Sequence, residues 1–169
     1  LQFEIIMLAV KPYRQTPSYC GPASLKMVLG YYGVKKSERE LGQLSGCTKR
    51  RGTPGEGLVA AARKLGFRTQ IKDYADLTDL RRYVKRKIPV IVDWFSTDEG
   101  HYSVIYHISS RYIYLLDPEI DGGKRKMFLK KFLHKWWDLD TPKYIRSDRW
   151  FMVINFQKKT FKIPGGANY

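Results

Sequence analysis

This 169-residue chain has little cysteine, little histidine, few acids and no long apolar run. Its two cysteines, Cys20 and Cys47, stand in unrelated contexts and form no C-x-x-C pair. That argues against a disulfide framework or a zinc knuckle and leaves at least one thiol free. The longest nearly apolar stretch, Leu1 to Val10, is broken by Gln2 and Glu4 and is about half of what a bilayer span requires. It also lacks the basic start and small-residue cleavage site of a secretory signal, so the expected localisation is cytoplasmic. No repeat, low-complexity tract or Gly/Ser linker divides the chain. One domain over 1–169 is expected, with a core of about 11–156 and a tail over 157–169. Acids are outnumbered, 16 Asp and Glu against 31 Lys and Arg, for a formal charge of +15. Such a field attracts phosphate, anionic lipid or an acidic peptide and by itself selects none of them.

With 43% hydrophobic and 14% aromatic residues, the chain can bury an ordinary core. The first half reads as helical. Ala23, Leu25, Val28 and Leu29 recur at helical spacing in a helix from Pro22 to about Tyr32, stopped by Gly33. Ser37 with Glu40 predicts a capping box and a helix through Leu44, and Thr53-Pro54-Gly55-Glu56 predicts a second one opening a helix that closes at Gly66. A further helix is expected from Asp76 to Lys87. The second half is β-branched and aromatic at Ile88–Trp94, Tyr102–Ile108, Tyr112–Leu116 and Trp150–Phe156, the composition of an antiparallel sheet. Phe128–Trp137 is helix-compatible, though its apolar residues nearly encircle the helix. Helices followed by strands imply an α+β fold.

A thiol attacks as thiolate, and a helix start favours that anion through its partial positive charge and unpaired N–H groups. Cys20-Gly21-Pro22 offers this setting: Gly21 is expected to keep the approach to the sulfur open, and Pro22 suits the first turn, where a missing N–H costs nothing. On these residues alone a buried, inert Cys20 is the competing reading. As base, His101 is best placed, following Gly100 and opening a strand at the sheet's edge. His107 reads as a satisfied core or surface histidine, and His134, among Lys130, Lys131 and Lys135, as solvated surface. A hairpin of Tyr102–Ile108 and Tyr112–Leu116 turning near Ser109, Ser110 and Arg111 brings His101 opposite or nearly opposite Asp117. A carboxylate there can accept the imidazole N–H and fix its tautomer. Taken alone, Asp117-Pro118 reads as a strand-ending turn. Gln15, five residues before Cys20, carries an amide N–H that, with the Cys20 backbone N–H, can receive an oxyanion.

Taken together, Gln15-x-x-x-x-Cys20-Gly21-Pro22-Ala23-Ser24-Leu25, Gly100-His101-Tyr102-Ser103-Val104 and Leu115-Leu116-Asp117-Pro118 resemble the C39 peptidase family. Arg51-Gly52-Thr53 and the helix of Leu58, Ala61, Ala62 and Leu65 up to Gly66 extend the likeness, which spans roughly Lys11 to Asp138. The resemblance implies a papain-like fold, a catalytic triad of Cys20, His101 and Asp117, and a Gln15-assisted oxyanion hole, with no metal and no cofactor. It implies a peptide or protein substrate carrying a double-glycine site, and the net charge of +15 separately suits an acidic one. The best-known relatives are exporter domains that cut leader peptides after Gly-Gly; this sequence carries no transporter segment and resembles the freestanding members. Tyr19 stands where exporter domains usually have an acidic residue, and Gln15 is one position closer to the cysteine than is usual there. Gly165-Gly166 reads as part of a tail, with self-processing as the lesser alternative. Two other functions stay open: a catalytically degenerate basic module binding nucleic acid or another anionic partner, and a Cys-dependent acyl or peptidyl transferase.

Overall fold

The strand-forming runs of the second half are apolar on both faces, the pattern of a sheet covered by helices on each side. The computed structural model, which describes residues 5–140 and 145–155, has this arrangement. Its helices are α1 (Cys20–Tyr31), α2 (Glu38–Ser45), α3 (Gly55–Lys64), α4 (Leu77–Lys85) and α5 (Leu129–Lys135). Its strands are β1 (Arg68–Lys72), β2 (Val90–Phe95), β3 (Gly100–Ile108), β4 (Tyr112–Leu116), β5 (Lys124–Phe128), β6 (Trp137–Asp140), β7 (Ile145–Asp148) and β8 (Phe151–Asn155). Six strands form an antiparallel sheet in the order β1-β8-β2-β3-β4-β5, and β6 and β7 form a separate hairpin. The fold is α+β, as expected.

Strand alternation sends neighbouring residues into different cores. Ile91, Tyr102, Val104, Met152 and Ile154 pack with Leu25, Val28, Leu29, Leu41 and Leu58 of α1 to α3. Val90, Val92, Trp94, Ile105, Phe151 and Val153 pack with Leu80, Val84, Phe132 and Trp136 on the other face. α1 is buried along most of its circumference, which explains its apolar composition. Truncating its fully buried Leu25 would cost about 2–5 kcal/mol. Leu8 and Val10, ahead of Lys11, join the first core, and the Leu8 N–H donates to Tyr106 O at 2.9 Å.

Two helix starts, those of α2 and α4, are closed by local side-chain chemistry. Ser37 and Glu40 form the expected capping box, and Asp76 with Asp79 forms another on α4. Thr53 does not cap α3. Pro54 takes the N-cap position without a side-chain bond, and Thr53 turns inward instead, buried against α1. α4 ends two residues earlier than expected, with Lys87 in the left-handed region at φ 58°. β1, β5, β6 and β7 are strands that the composition did not announce: β1 and β5 are the largely exposed, polar edge strands of the sheet, and β6 and β7 are short. Gly165-Gly166 and the tail over 157–169 lie outside the described residues. Among the described residues no helix is long and apolar enough to cross a membrane.

Candidate active site

Cys20 is the first residue of α1, and Tyr19 occupies the N-cap without a side-chain bond to the helix. The first-turn N–H groups are therefore left without a side-chain acceptor, at the positive end of the helix dipole. Ser18 turns the chain into the helix from the left-handed region, φ 71°, a conformation that costs a non-glycine residue energy and clusters at functional sites. Gly21 has a different task from the one expected. It is buried, and a Cβ there would lie 2.9 Å from Thr53 Cβ and 3.3 Å from Leu58 Cδ2. Its small size lets α1 approach α3 rather than clearing a path to the sulfur.

The loop bearing Gln15 is tied on two sides. The Thr16 N–H and hydroxyl donate to the buried Glu38 carboxylate at 2.8 and 2.5 Å, and the Gln15 N–H donates to Pro118 O at 2.9 Å. Gln15 Oε1 is buried with no hydrogen-bond partner. An unmet buried polar atom costs about 1–3 kcal/mol.

His101, the second residue of β3, lies directly across from Trp94 of β2. On its other side Val104 pairs with Leu116, and a register shift follows between Ile105 and His107. Continuing the pairing places Ser103 across from Asp117, with His101 on the same face one pleat further. The side chains close this gap: His101 Nε2 lies 2.6 Å from Asp117 Oδ1. The expected meeting of the two residues is found, as a diagonal rather than a direct pair. Its Nδ1 lies 3.9 Å from Glu119 Oε2, and the Cys20 sulfur acts on the ring as a polar, negatively charged neighbour. Burial by itself pushes the His101 pKa down, but the interactions of Asp117 and Cys20 with the ring and the negative charge of both overcome this and raise it to about 10. Trp94 packs edge-on against the ring at 6.0 Å between centres, its own N–H donating to Ser103 Oγ at 3.0 Å.

Asp117 is fully buried yet richly supplied with donors. Besides His101 it accepts the Glu119 N–H at 3.0 Å and Arg125 Nε at 2.6 Å. Burial pushes its carboxyl up, and the bond and charge of His101, then Glu119 N–H and Arg125, bring it down to about 2. Arg125 also lies over the Trp94 ring, 5.7 Å from its centre. His101, Asp117 and Glu119 offer donor atoms within 4.8 Å of one another, as a metal cluster would. However, His101 Nε2 and both Asp117 oxygens are engaged with each other and with the Arg125 guanidinium, a cation already in place.

The structure thus brings Cys20, His101 and Asp117 together and ties Gln15 to the same region through its backbone. The other histidines behave as expected: His107 is buried with Nδ1 2.7 Å from Ile6 O, and His134 is exposed. Cys47 is a contrasting thiol, its Sγ 3.5 Å from Ser18 O and its pKa pushed up by burial. Sequence reasoning missed Arg125, hidden in the basic run Lys124–Lys126; Lys124 and Lys126 are exposed, whereas Arg125 turns inward. The alternation along β5 was the available signal. It also missed Asp93 of β2, buried and hydrogen-bonded to Asp138 of β6.

Comparison with known proteins bears on this arrangement. An uncharacterized protein from Methanothermobacter thermautotrophicus is 36% identical over 132 residues, covering 76% of this chain and 83% of that one. The mesentericin transport/processing ATP-binding protein MesD of Leuconostoc mesenteroides is 32% identical over 120 residues, but the match spans 69% of this chain and only 16% of MesD. The crystal structure of the peptidase domain of Streptococcus ComA, a bi-functional ABC transporter, superposes with a TM-score of 0.72 at 30% identity, over 88% of this chain and 99% of that domain. A double-glycine-motif protease from an AMS/PCAT transporter, in complex with the leader peptide, shares the fold at a TM-score of 0.68 and 22% identity, over 88% of this chain and 92% of that one. These comparisons give no support to a nucleic-acid partner. The model of the peptidase C39 family matches residues 11–139, and the chain belongs to that family.

Proposed function

We propose that this chain is a cysteine peptidase that cleaves a peptide bond with Cys20 as nucleophile, His101 as base and Asp117 as its orienter. One observation carries the reading: His101 is held at 2.6 Å by a fully buried Asp117, and the interactions of Asp117 and Cys20 with the ring raise its pKa to about 10. A raised imidazole pKa beside a thiol favours a thiolate–imidazolium pair, the state in which the sulfur is nucleophilic.

The thiolate attacks the scissile carbonyl carbon, and the carbonyl π electrons move onto oxygen. The Cys20 N–H and the Gln15 amide stabilise that oxyanion. As it collapses, the carbon–nitrogen bond breaks and His101 gives its proton to the departing amine, leaving a thioester. His101, now neutral, takes a proton from water, whose oxygen displaces the thiol and releases the carboxylate product. Asp117 keeps the imidazole tautomer correct throughout. The double-glycine-motif protease that shares this fold supports cleavage after a Gly-Gly pair in a leader or precursor peptide.

The test is a pH titration of Cys20 alkylation by iodoacetamide in a Cys47→Ser background, with and without His101→Ala, beside turnover of a Gly-Gly peptide. The expected outcome is fast Cys20 alkylation at neutral pH that slows when His101 is lost, and no turnover in Cys20→Ala. Full turnover in Cys20→Ala, or a profile indifferent to His101 in a folded variant, refutes the mechanism.

A further inference from the structure

Asp93 neighbours Trp94 on β2 and shares the parity of Ile91, so its side chain points to the face covered by α1 rather than the face of Trp94. Its Oδ1 is buried with no hydrogen-bond partner, and its carboxyl bonds that of Asp138. Two carboxylates offer only acceptors, so a carboxyl pair in contact holds a proton between them. Asp138 is itself anchored. Its Oδ1 accepts the Leu139 N–H at 2.7 Å, and its carboxyl lies against the Cα of Gly100, where an added Cβ would fall 2.0 Å from Oδ2. Gly100 immediately precedes His101. The pair therefore joins β2, β6 and the start of β3 next to the Cys20–His101 contact.

The titratable groups acting on Asp93 are Asp138 from β6, Cys20 from α1 and His101 from β3. Burial first, then the negative charges of Asp138 and Cys20, hold its carboxyl well above the usual range, with His101 opposing. Such coupling is reciprocal. An Asp93 anion would push the Cys20 thiol toward its neutral form and compete with the sulfur for the imidazolium charge.

We propose that Asp93 and Asp138 are positioning residues of this site: the Asp138 carboxylate accepts a hydrogen bond from the protonated Asp93 carboxyl, so the Cys20 thiolate forms without a competing anion beside it. The inference rests on the Cys20–His101 pair proposed above. An asparagine at 138 keeps an oxygen for the Leu139 N–H but offers Asp93 an N–H, which favours the Asp93 anion.

The experiment is the same alkylation titration, in the Cys47→Ser background, with thermal melts to confirm folding. Asp138→Asn should slow Cys20 alkylation at neutral pH by about tenfold, one pH unit of displacement toward alkaline values. Asp93→Asn combined with Asp138→Asn should restore the original profile, because the acid that ionises is gone. Gly100→Ala, which displaces the Asp138 carboxyl without changing either acid, should move the profile in the same direction as Asp138→Asn and serves if that variant does not fold. An unmoved profile in a folded Asp138→Asn, or a double variant as slow as the single one, overturns the proposal. If His101→Ala moves the profile and Asp138→Asn does not, this inference fails alone; if neither does, the ion pair fails with it.

Discussion

Two buried aspartates feel the charge of the same histidine and end in opposite states. Asp117, following β4, is 0% exposed, and Asp93, on β2, is 8% exposed. Burial raises both carboxyls, yet Asp117 sits at about 2 and Asp93 well above the usual range. The difference lies in the donors. Asp117 receives three, from His101, Glu119 and Arg125, whereas Asp93 faces another carboxyl. Desolvation therefore does not decide whether a buried acid is charged; the hydrogen-bond donors that the fold delivers to it do.

The largest expected break of this contrast comes from Asp117→Ala. It leaves His101 without its tautomer partner and Arg125 without its carboxylate, so kcat on a Gly-Gly peptide should fall by about 10³-fold or more. Urea unfolding should show a loss of about 3–5 kcal/mol, as for other buried pairs broken on one side. Retained kcat would mean that the imidazole is oriented by other groups.

Arg125→Gln is a gentler change, because Arg125 is about one-third exposed. Asp117 has a folded pKa below its ordinary value, so its contribution to stability is present above the ordinary carboxylate range and is lost as pH falls through about 2. Removing one donor raises that folded pKa, and acid unfolding should begin about one pH unit higher. Coincident acid limbs for the two proteins would show that His101 and Glu119 suffice.

Asp93→Asn should act with the opposite sign. A carboxyl whose folded pKa is raised destabilises the fold increasingly as pH rises above its unfolded value. The amide removes that cost while still donating to Asp138, so the neutral-pH melt should move upward, by on the order of 1 kcal/mol. Below the carboxylate range the two melts should coincide. A lower neutral-pH melt would show that packing outweighs the electrostatic penalty.

Where a residue's role depended on its neighbours in sequence, reading the chain succeeded. Ser37 and Glu40 cap α2 because the capping box needs only four consecutive positions, and Cys20 stands at a helix start because apolar spacing and Pro22 specify that start. Asp117 was reachable through the hairpin, whose turn at Ser109 and Tyr112 is itself local. Thr53 was misread because its inward turn follows from the space beside Gly21, on a different helix. Gly21 was misread for the same reason. Arg125 was hidden because its inward orientation depends on β5 pairing with β4, and a run of three basic residues looks solvated until that pairing exists.

By itself the sequence determined the helix-then-strand order, the nucleophile at a helix start, the histidine at a strand opening and the kinship to the C39 peptidases, all of which rest on short-range spacing or on motif residues. Only the tertiary structure decided which acid beside His101 is charged. That outcome depends on donors arriving from β5 for Asp117 and on a second carboxyl arriving from β6 for Asp93, and in a low-dielectric interior a single donor or acceptor in contact outweighs what composition alone can specify.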